Sequence, residues 1–208
     1  MKRDCRAAEV FNDFAERYAQ QFMDVSKYAE GLHVFMDAMR PEAKVLELGC
    51  GPGNVTAELV KHRSDIDLLA TDLSPNMLDA AKALLPSVRF ELLDIREVTG
   101  LRTHFDAAIM AFGMPYLNVD ELQHFARDLS EVLIDGATVY LSWIEDEYAK
   151  SGEQKSSTGT HNMNMYFYPL EFVRNTFTAL GFVELYVGLI PIEQSATDVP
   201  RDAALVLK

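Results

Sequence analysis

One stretch limits what this chain can become: Val45-Leu46-Glu47-Leu48-Gly49-Cys50-Gly51-Pro52-Gly53-Asn54. A short, mostly apolar run passes into glycines at alternate positions and then into residues able to open a helix. The run reads as a buried strand and the glycines as a tight turn with a bare backbone. A strand, a bare loop and a helix N-terminus in succession suit a bound small molecule with an anionic end.

The rest of the chain repeats that alternation. Ile66–Thr71 predicts a second strand ending at Asp72, Val88–Leu93 a third ending at Asp94, Phe105–Phe112 a fourth and Ala137–Trp143 a fifth. The fourth is almost continuously apolar, as expected where both faces of a sheet are covered. Helices are predicted between them: Asn54–His62, then one capped by Ser74 with Pro75 at its first position, then one opened by Asn118 and Glu121 as a capping pair. Pro169 opens a late helix closed by Gly181, and Phe182–Ile190 and Ala203–Leu207 supply two final strands. This period calls for an open, mainly parallel α/β sheet with helices on both faces.

Upstream, residues 7–25 and Tyr28 to Met39 carry two helical patterns. They predict an N-terminal helical cap over residues 1–43 ahead of a core over 44–208, all one compact domain. The cap can cover a sheet edge, close over a ligand, or do both. The connector from Glu145 to Tyr168 is the least regular part. Its Met163, Met165, Tyr166, Phe167 and Tyr168 are too apolar for a solvated loop, which favours a functional segment.

With 208 residues the chain can bury roughly 70% of its unfolded surface and needs no covalent staples. Its net charge of −13 argues against a nucleic-acid backbone as main partner. Of the two cysteines, Cys5 and Cys50, the latter sits in the glycine loop, where small size matters more than the thiol. The N-terminus lacks the apolar segment of a signal peptide and no run approaches a membrane helix, so a cytoplasmic location is expected.

Strand ends narrow the ligand. Asp72 follows the first glycine by 72 − 49 = 23 residues, near the spacing of an acidic residue that holds ribose hydroxyls. A dinucleotide loop follows G-x-G-x-x-G, but here Asn54 fills the sixth position and glycine falls at the fifth. Pro52 removes a backbone donor that a phosphate cradle would use, and Glu47 would oppose a phosphate yet welcome an ammonium. An adenosine-like ligand with an amino-acid end fits better than a pyrophosphate.

Glu47-Leu48-Gly49-Cys50-Gly51-Pro52-Gly53 resembles motif I of the class I S-adenosylmethionine-dependent methyltransferases. The resemblance extends through Leu69–Leu78, Phe90–Ile95, Phe105–Met110, and Tyr168–Phe172 with Leu180-Gly181-Phe182. It implies a Rossmann-like fold, a seven-stranded mainly parallel sheet, and S-adenosyl-L-methionine as cofactor. Gly49, Cys50, Gly51 and Gly53 would then let the backbone approach the methionine portion, with Glu47 at its amino group or organising the loop. Asp72 would hold the ribose hydroxyls with Leu73 and Met77 nearby, and Asp94 and Ile95 would take the adenine. Met110 and Ala111 would complete the wall at the fourth strand. For Met77 a plain core role is an equally good reading.

Phe11–Tyr18 is similar to the cap helix of the family's small-molecule branch, in which an aromatic at Tyr18 would close over the cofactor. Packing alone explains Tyr18 as well. The acceptor would meet the cofactor beneath that cap, at the ends of the fourth and fifth strands. Phe14, Phe112, Met114, Tyr116, Trp143 and Tyr166 are the candidate substrate residues. A general base is optional; Tyr116 and His161 are weak candidates. The other histidines, His33, His62, His104 and His124, show no metal-ligand spacing. After the fourth strand, Ala111–Leu117 lacks the Asn/Asp-Pro-Pro-Tyr/Phe signature of nucleic-acid or glutamine amide methylation, which favours a small acceptor. A methyltransferase of protein or RNA, a binding protein that keeps the fold without transferring methyl, and a nicotinamide oxidoreductase are the alternatives.

Overall fold

Short apolar strands bury both faces only when helices cover them, and here the helices divide between the two sides of one sheet. The computed structural model describes residues 9–15, 23–155, 162–191 and 201–208. Residues 9–15 form a helical segment, α1. A 3-10 turn at Ser26–Tyr28 leads into α2 (Ala29–Ala38). The core follows as β1 (Lys44–Leu48), α3 (Asn54–His62), β2 (Asp67–Asp72), α4 (Pro75–Leu84) and β3 (Arg89–Leu92). Next come β4 (Phe105–Ala111), α5 (Val119–Glu131), β5 (Leu133–Glu145), β6 (Gly152–Lys155) and β7 (Asn162–Met165). The chain ends with α6 (Leu170–Thr178), β8 (Glu184–Pro191) and β9 (Arg201–Leu207).

The sheet has seven strands in the order β3-β2-β1-β4-β5-β9-β8. The first five run parallel, and β9 lies antiparallel to both β5 and β8. Strand order reverses between β1 and β4, so a crevice opens at the carboxyl ends of the strands there.

Side-chain alternation sorts the two faces. Val45, Ile109, Tyr140 and Val206 pack with Leu32, Phe35 and Met36 of α2 and with Val55 and Leu59 of α3. Leu46, Leu48, Met110, Leu141, Trp143 and Leu205 pack on the other side with Phe125 of α5 and Phe177 of α6. Local signals set the helix starts. Ser74 accepts from the Met77 amide at 3.2 Å, and Asn118 and Glu121 exchange bonds at 3.0 and 2.9 Å as a complete capping box.

Two elements differ from the sequence expectation. The fifth strand begins at Leu133 instead of Ala137: pairing with β4 jumps from Phe105↔Leu133 to Ala107↔Thr138, and Gly136 takes a left-handed φ of 74° in the bulge. Part of the irregular connector is a β6–β7 hairpin, which reaches the end of β4 through a Tyr166 amide bond to the Pro115 carbonyl at 2.8 Å. No helix among the described residues is long and apolar enough to cross a membrane.

The alternation on β5 decides the place of Trp143. It is fully buried on the α5–α6 face, and its Nε1–H donates to the Tyr168 carbonyl at 2.8 Å. Trp143 is therefore a core residue and not part of the crevice. Trp143→Phe leaves that carbonyl unpaired and should lower stability by about 1–3 kcal/mol in urea unfolding. Ligand affinity of the crevice should not change in the same variant.

Candidate active site

The crevice is a cavity of about 380 Å³ at the ends of β1, β2, β4 and β5, beneath α1 and the Ser26–Tyr28 turn. Its floor is the glycine loop. Gly49 and Gly51 have φ of 71° and 54°, and a Cβ added to either would meet nothing within 4 Å. Bare backbone therefore faces open space, as a ligand in close approach requires. Gly53, by contrast, lies under the loop with its Cβ position 3.4 Å from Ala81, so it serves helix packing and does not line the cavity.

Asp72 joins the loops that follow β1 and β2. Its carboxylate accepts from the Gly51 amide at 2.9 Å and the Ser74 amide at 2.8 Å. Burial pushes its pKa up, against the pull of those amides. Leu73 and Met77 line the cavity beside it. Asp94 caps the 3-10 segment Ile95–Leu101 by accepting from the Arg96 amide at 3.0 Å, and it pairs with the Arg96 guanidinium at 3.0 Å. Ile95 also faces the cavity.

Glu47 and Cys50 are lining groups whose acid–base behaviour is set mainly by burial. Burial, with a smaller contribution from Asp72, pushes the Glu47 carboxyl up to about 8, while the Thr56 hydroxyl donates to it at 2.7 Å. Burial first, then the charges of Glu47 and Asp72, raises the Cys50 thiol far above its ordinary range and leaves it unreactive.

The predicted site residues separate by face. Ala111, Phe112 and Tyr116 line the cavity. Phe112 holds a left-handed φ of 58°, a strained conformation for a phenylalanine, with its amide bonded to the Ser142 carbonyl at 2.8 Å. Met110, Met114 and Trp143 are buried in the α5–α6 core, and Tyr166 packs against it, so none of these four reaches the cavity. Phe14 is half-buried on α1 but does not line the cavity; Phe11 does, with its ring edge-on to Tyr116 at 5.3 Å. Asn12 fastens α1 to the opposite rim, accepting from the Asn76 amide at 3.1 Å and from Asn76 Nδ2 at 2.7 Å. Tyr18 and His161 lie outside the described residues.

Several lining residues escaped the sequence reading. Lys27, Tyr28, Ser142 and Asp202 close the β5–β9 end. For Ser142 a signal was available: Thr138, Tyr140 and Ser142 alternate with Val139, Leu141 and Trp143, which puts the polar residues on one face. Asp202 is an acidic residue at the mouth of an apolar strand. The histidines, without metal spacing in sequence, gain some in space: ligand atoms of His33, Glu58 and His62 lie within 4.8 Å of one another, on α2 and α3 and off the cavity lining.

Glu47 makes stability depend on pH. Its folded pKa of about 8 lies above the ordinary value of 4.5. The folded form therefore keeps a proton that the unfolded chain releases, and stability falls as pH rises from 4.5 through 8. Glu47→Gln should be more stable than the parent by about 1–4 kcal/mol at alkaline pH in urea unfolding, with the gap narrowing on acidification.

Comparison with known proteins agrees with this geometry. A family model described as "Methyltransferase domain" matches residues 45–136, from β1 to the Gly136 bulge. Among curated proteins, trans-aconitate 2-methyltransferases are similar over short stretches. The one from Methylobacterium nodulans is 47% identical over 53 residues, 26% of this chain and 20% of that protein. The one from Deinococcus radiodurans is 45% identical over 62 residues, 29% and 24% respectively. The matched stretch thus spans only about a fifth to a quarter of these relatives' length. Among solved structures, an S-adenosylmethionine-dependent methyltransferase from Clostridium acetobutylicum has a TM-score of 0.72 at 15% identity, covering 96% of this chain and 98% of that one. Another from Mesorhizobium loti has a TM-score of 0.68 at 19% identity, covering 89% and 99%. Those likenesses concern the fold alone. The domain match covers the glycine loop and both acidic strand ends, on a fold shared with S-adenosylmethionine-dependent methyltransferases.

Proposed function

We propose that the protein transfers a methyl group from S-adenosyl-L-methionine to a small-molecule acceptor by in-line displacement. The observation that carries this reading is the open bare backbone of Gly49 and Gly51 set beside the fixed Asp72 carboxylate. The residues fit the cofactor. Backbone at Gly49 and Gly51 admits the amino-acid end, Glu47 meets its ammonium, Asp72 takes the ribose hydroxyls, and Asp94 with Ile95 receives the adenine.

When bound, the cofactor supplies a methyl group already activated on a sulfonium. The protein's own residues align the acceptor, exclude water and hold the reacting atoms collinear, which can supply about 7–11 kcal/mol. Residues 1–43 act as a cap in this reading. The Asn12 bonds to the β2–α4 rim and the Phe11–Tyr116 contact on the other side support it, because they carry α1 across the mouth.

A small acceptor is favoured by the modest cavity volume of about 380 Å³ and by the name of the curated relatives, which act on trans-aconitate. The net charge of −13 disfavours RNA. A labelled-methyl assay on metabolite extracts separates transfer from binding without transfer: a labelled small product is expected, and none in any extract would favour the binding protein.

Calorimetry tests the cofactor assignment. S-adenosylhomocysteine should bind and NAD should not. Asp72→Asn keeps an acceptor for one amide, so the loop survives, yet should weaken S-adenosylhomocysteine by about 10–100-fold. Unchanged affinity in that variant would place the ribose elsewhere.

A further inference from the structure

Away from Asp72 and Asp94, the cavity ends on β5 and β9, where register sets Ser142 beside Ala204 and Ile144 beside Asp202. Ser142 and Asp202 line it while only 1% and 4% exposed. Ser142 Oγ has no hydrogen-bond partner among the described residues. Ser142 acts on the Tyr140 phenol, two residues back on the same face, as a loose hydrogen-bonding neighbour outside the geometry of a full bond. Asp202 accepts from the Tyr28 hydroxyl at 2.6 Å and from Lys27 Nζ at 2.9 Å, both on Oδ2. Its Oδ1 accepts no hydrogen bond from a described residue. The rings of Tyr28 and Phe112, edge to face at 5.3 Å, form an apolar wall beside these two groups.

Methyl acceptors of different chemistry make opposite demands on such a site. A carboxylate is already an anion at neutral pH; it needs cations to hold it and no base. A hydroxyl or an amine must shed a proton, so it needs a placed proton acceptor. Among the described lining residues the cations are Lys27 and Arg96. Both are committed, Lys27 to Asp202 at 2.9 Å and Arg96 to Asp94 and Glu121 at 3.0 Å each. What remains unengaged and buried is a carboxylate oxygen and a hydroxyl.

We infer that Asp202 is the proton acceptor, and Ser142 the orienting partner, for a methyl acceptor whose nucleophile is an O–H or N–H group and not a carboxylate. This rests on the cofactor reading above. The acceptor's proton passes to Asp202 Oδ1, the heteroatom lone pair forms the new bond to the methyl carbon, and the carbon–sulfur pair stays on sulfur, leaving a neutral thioether. Asp202 then returns its proton to water. Lys27 and Tyr28 are positioning residues: both arrive from the segment just ahead of α2 and fix Oδ2, which leaves Oδ1 for the acceptor. The curated relatives carry a tricarboxylate in their name, so the inference gives this chain an acceptor of different chemistry from theirs.

The test uses the full chain saturated with S-adenosylhomocysteine and four probes: phenol, benzylamine, benzoate and trans-aconitate, each titrated by ligand-observed NMR. Phenol, benzylamine or both should bind at least about tenfold more tightly than either carboxylate, and the phenol and amine arms separate O–H from N–H acceptors. Asp202→Asn should reduce that preference to less than about threefold, and Ser142→Ala should weaken the preferred probe, with S-adenosylhomocysteine affinity within about twofold in both. Thermal unfolding of each variant shows whether it is folded, and Ser142→Ala supplies the test if Asp202→Asn is not. Tighter binding of benzoate or trans-aconitate, no binding of phenol and benzylamine up to about 20 mM, or a preference untouched by the substitutions would overturn this inference alone. A parent chain that takes no S-adenosylhomocysteine would overturn the cofactor reading and this inference with it.

Discussion

Asp72 is the point at which the loops after β1 and β2 become one surface. Its carboxylate accepts from the Gly51 amide and from the Ser74 amide, at 2.9 and 2.8 Å, so the glycine loop and the start of α4 share a single anchor. Ser74 in turn caps α4, and Asn12 of α1 bonds to Asn76 in the same turn. A buried carboxylate without those amides would be driven to protonate; with them it stays fixed at the cavity edge, with lone pairs left for a ligand. The glycine loop and the start of α4 both depend on that one group.

Around it, the face of the sheet decides what each residue can do. The α5–α6 face is a dry core, and Met110, Met114 and Trp143 belong to it. The α2–α3–α4 face holds the cavity, so residues one step along the same strands, Ala111 and Ser142, meet the ligand space instead. A shift of one residue on a strand exchanges core for site. The same geometry gathers charge: committed cations and buried carboxylates line a cavity whose two ends differ, with Asp72 and Asp94 at the ends of β2 and β3 and Asp202 on β9.

Much of this was legible in the residues themselves. The alternation from Val45 to Phe112 and the Ser74-Pro75 and Asn118/Glu121 caps report local preferences, and each appears where its chemistry requires. The glycine loop, Asp72 and Asp94 line one cavity because strand ends in such a sheet converge on the crevice. The β5–β9 end of the cavity was less legible. Asp202 meets Lys27 and Tyr28 across 175 and 174 residues of sequence, and no local pattern reports such a contact. The hairpin β6–β7 was hidden for a similar reason: its Met163 is buried only once the hairpin folds back on the body of the protein.

A crystal structure of the protein with S-adenosylhomocysteine tests the central claim most directly. The account predicts the ribose hydroxyls within hydrogen-bond distance of the Asp72 carboxylate and the amino-acid end along the Gly49–Gly51 backbone. Ligand density away from the β1–β2 loops, or an Asp72 carboxylate that keeps its two amides but does not touch the ligand, would contradict it.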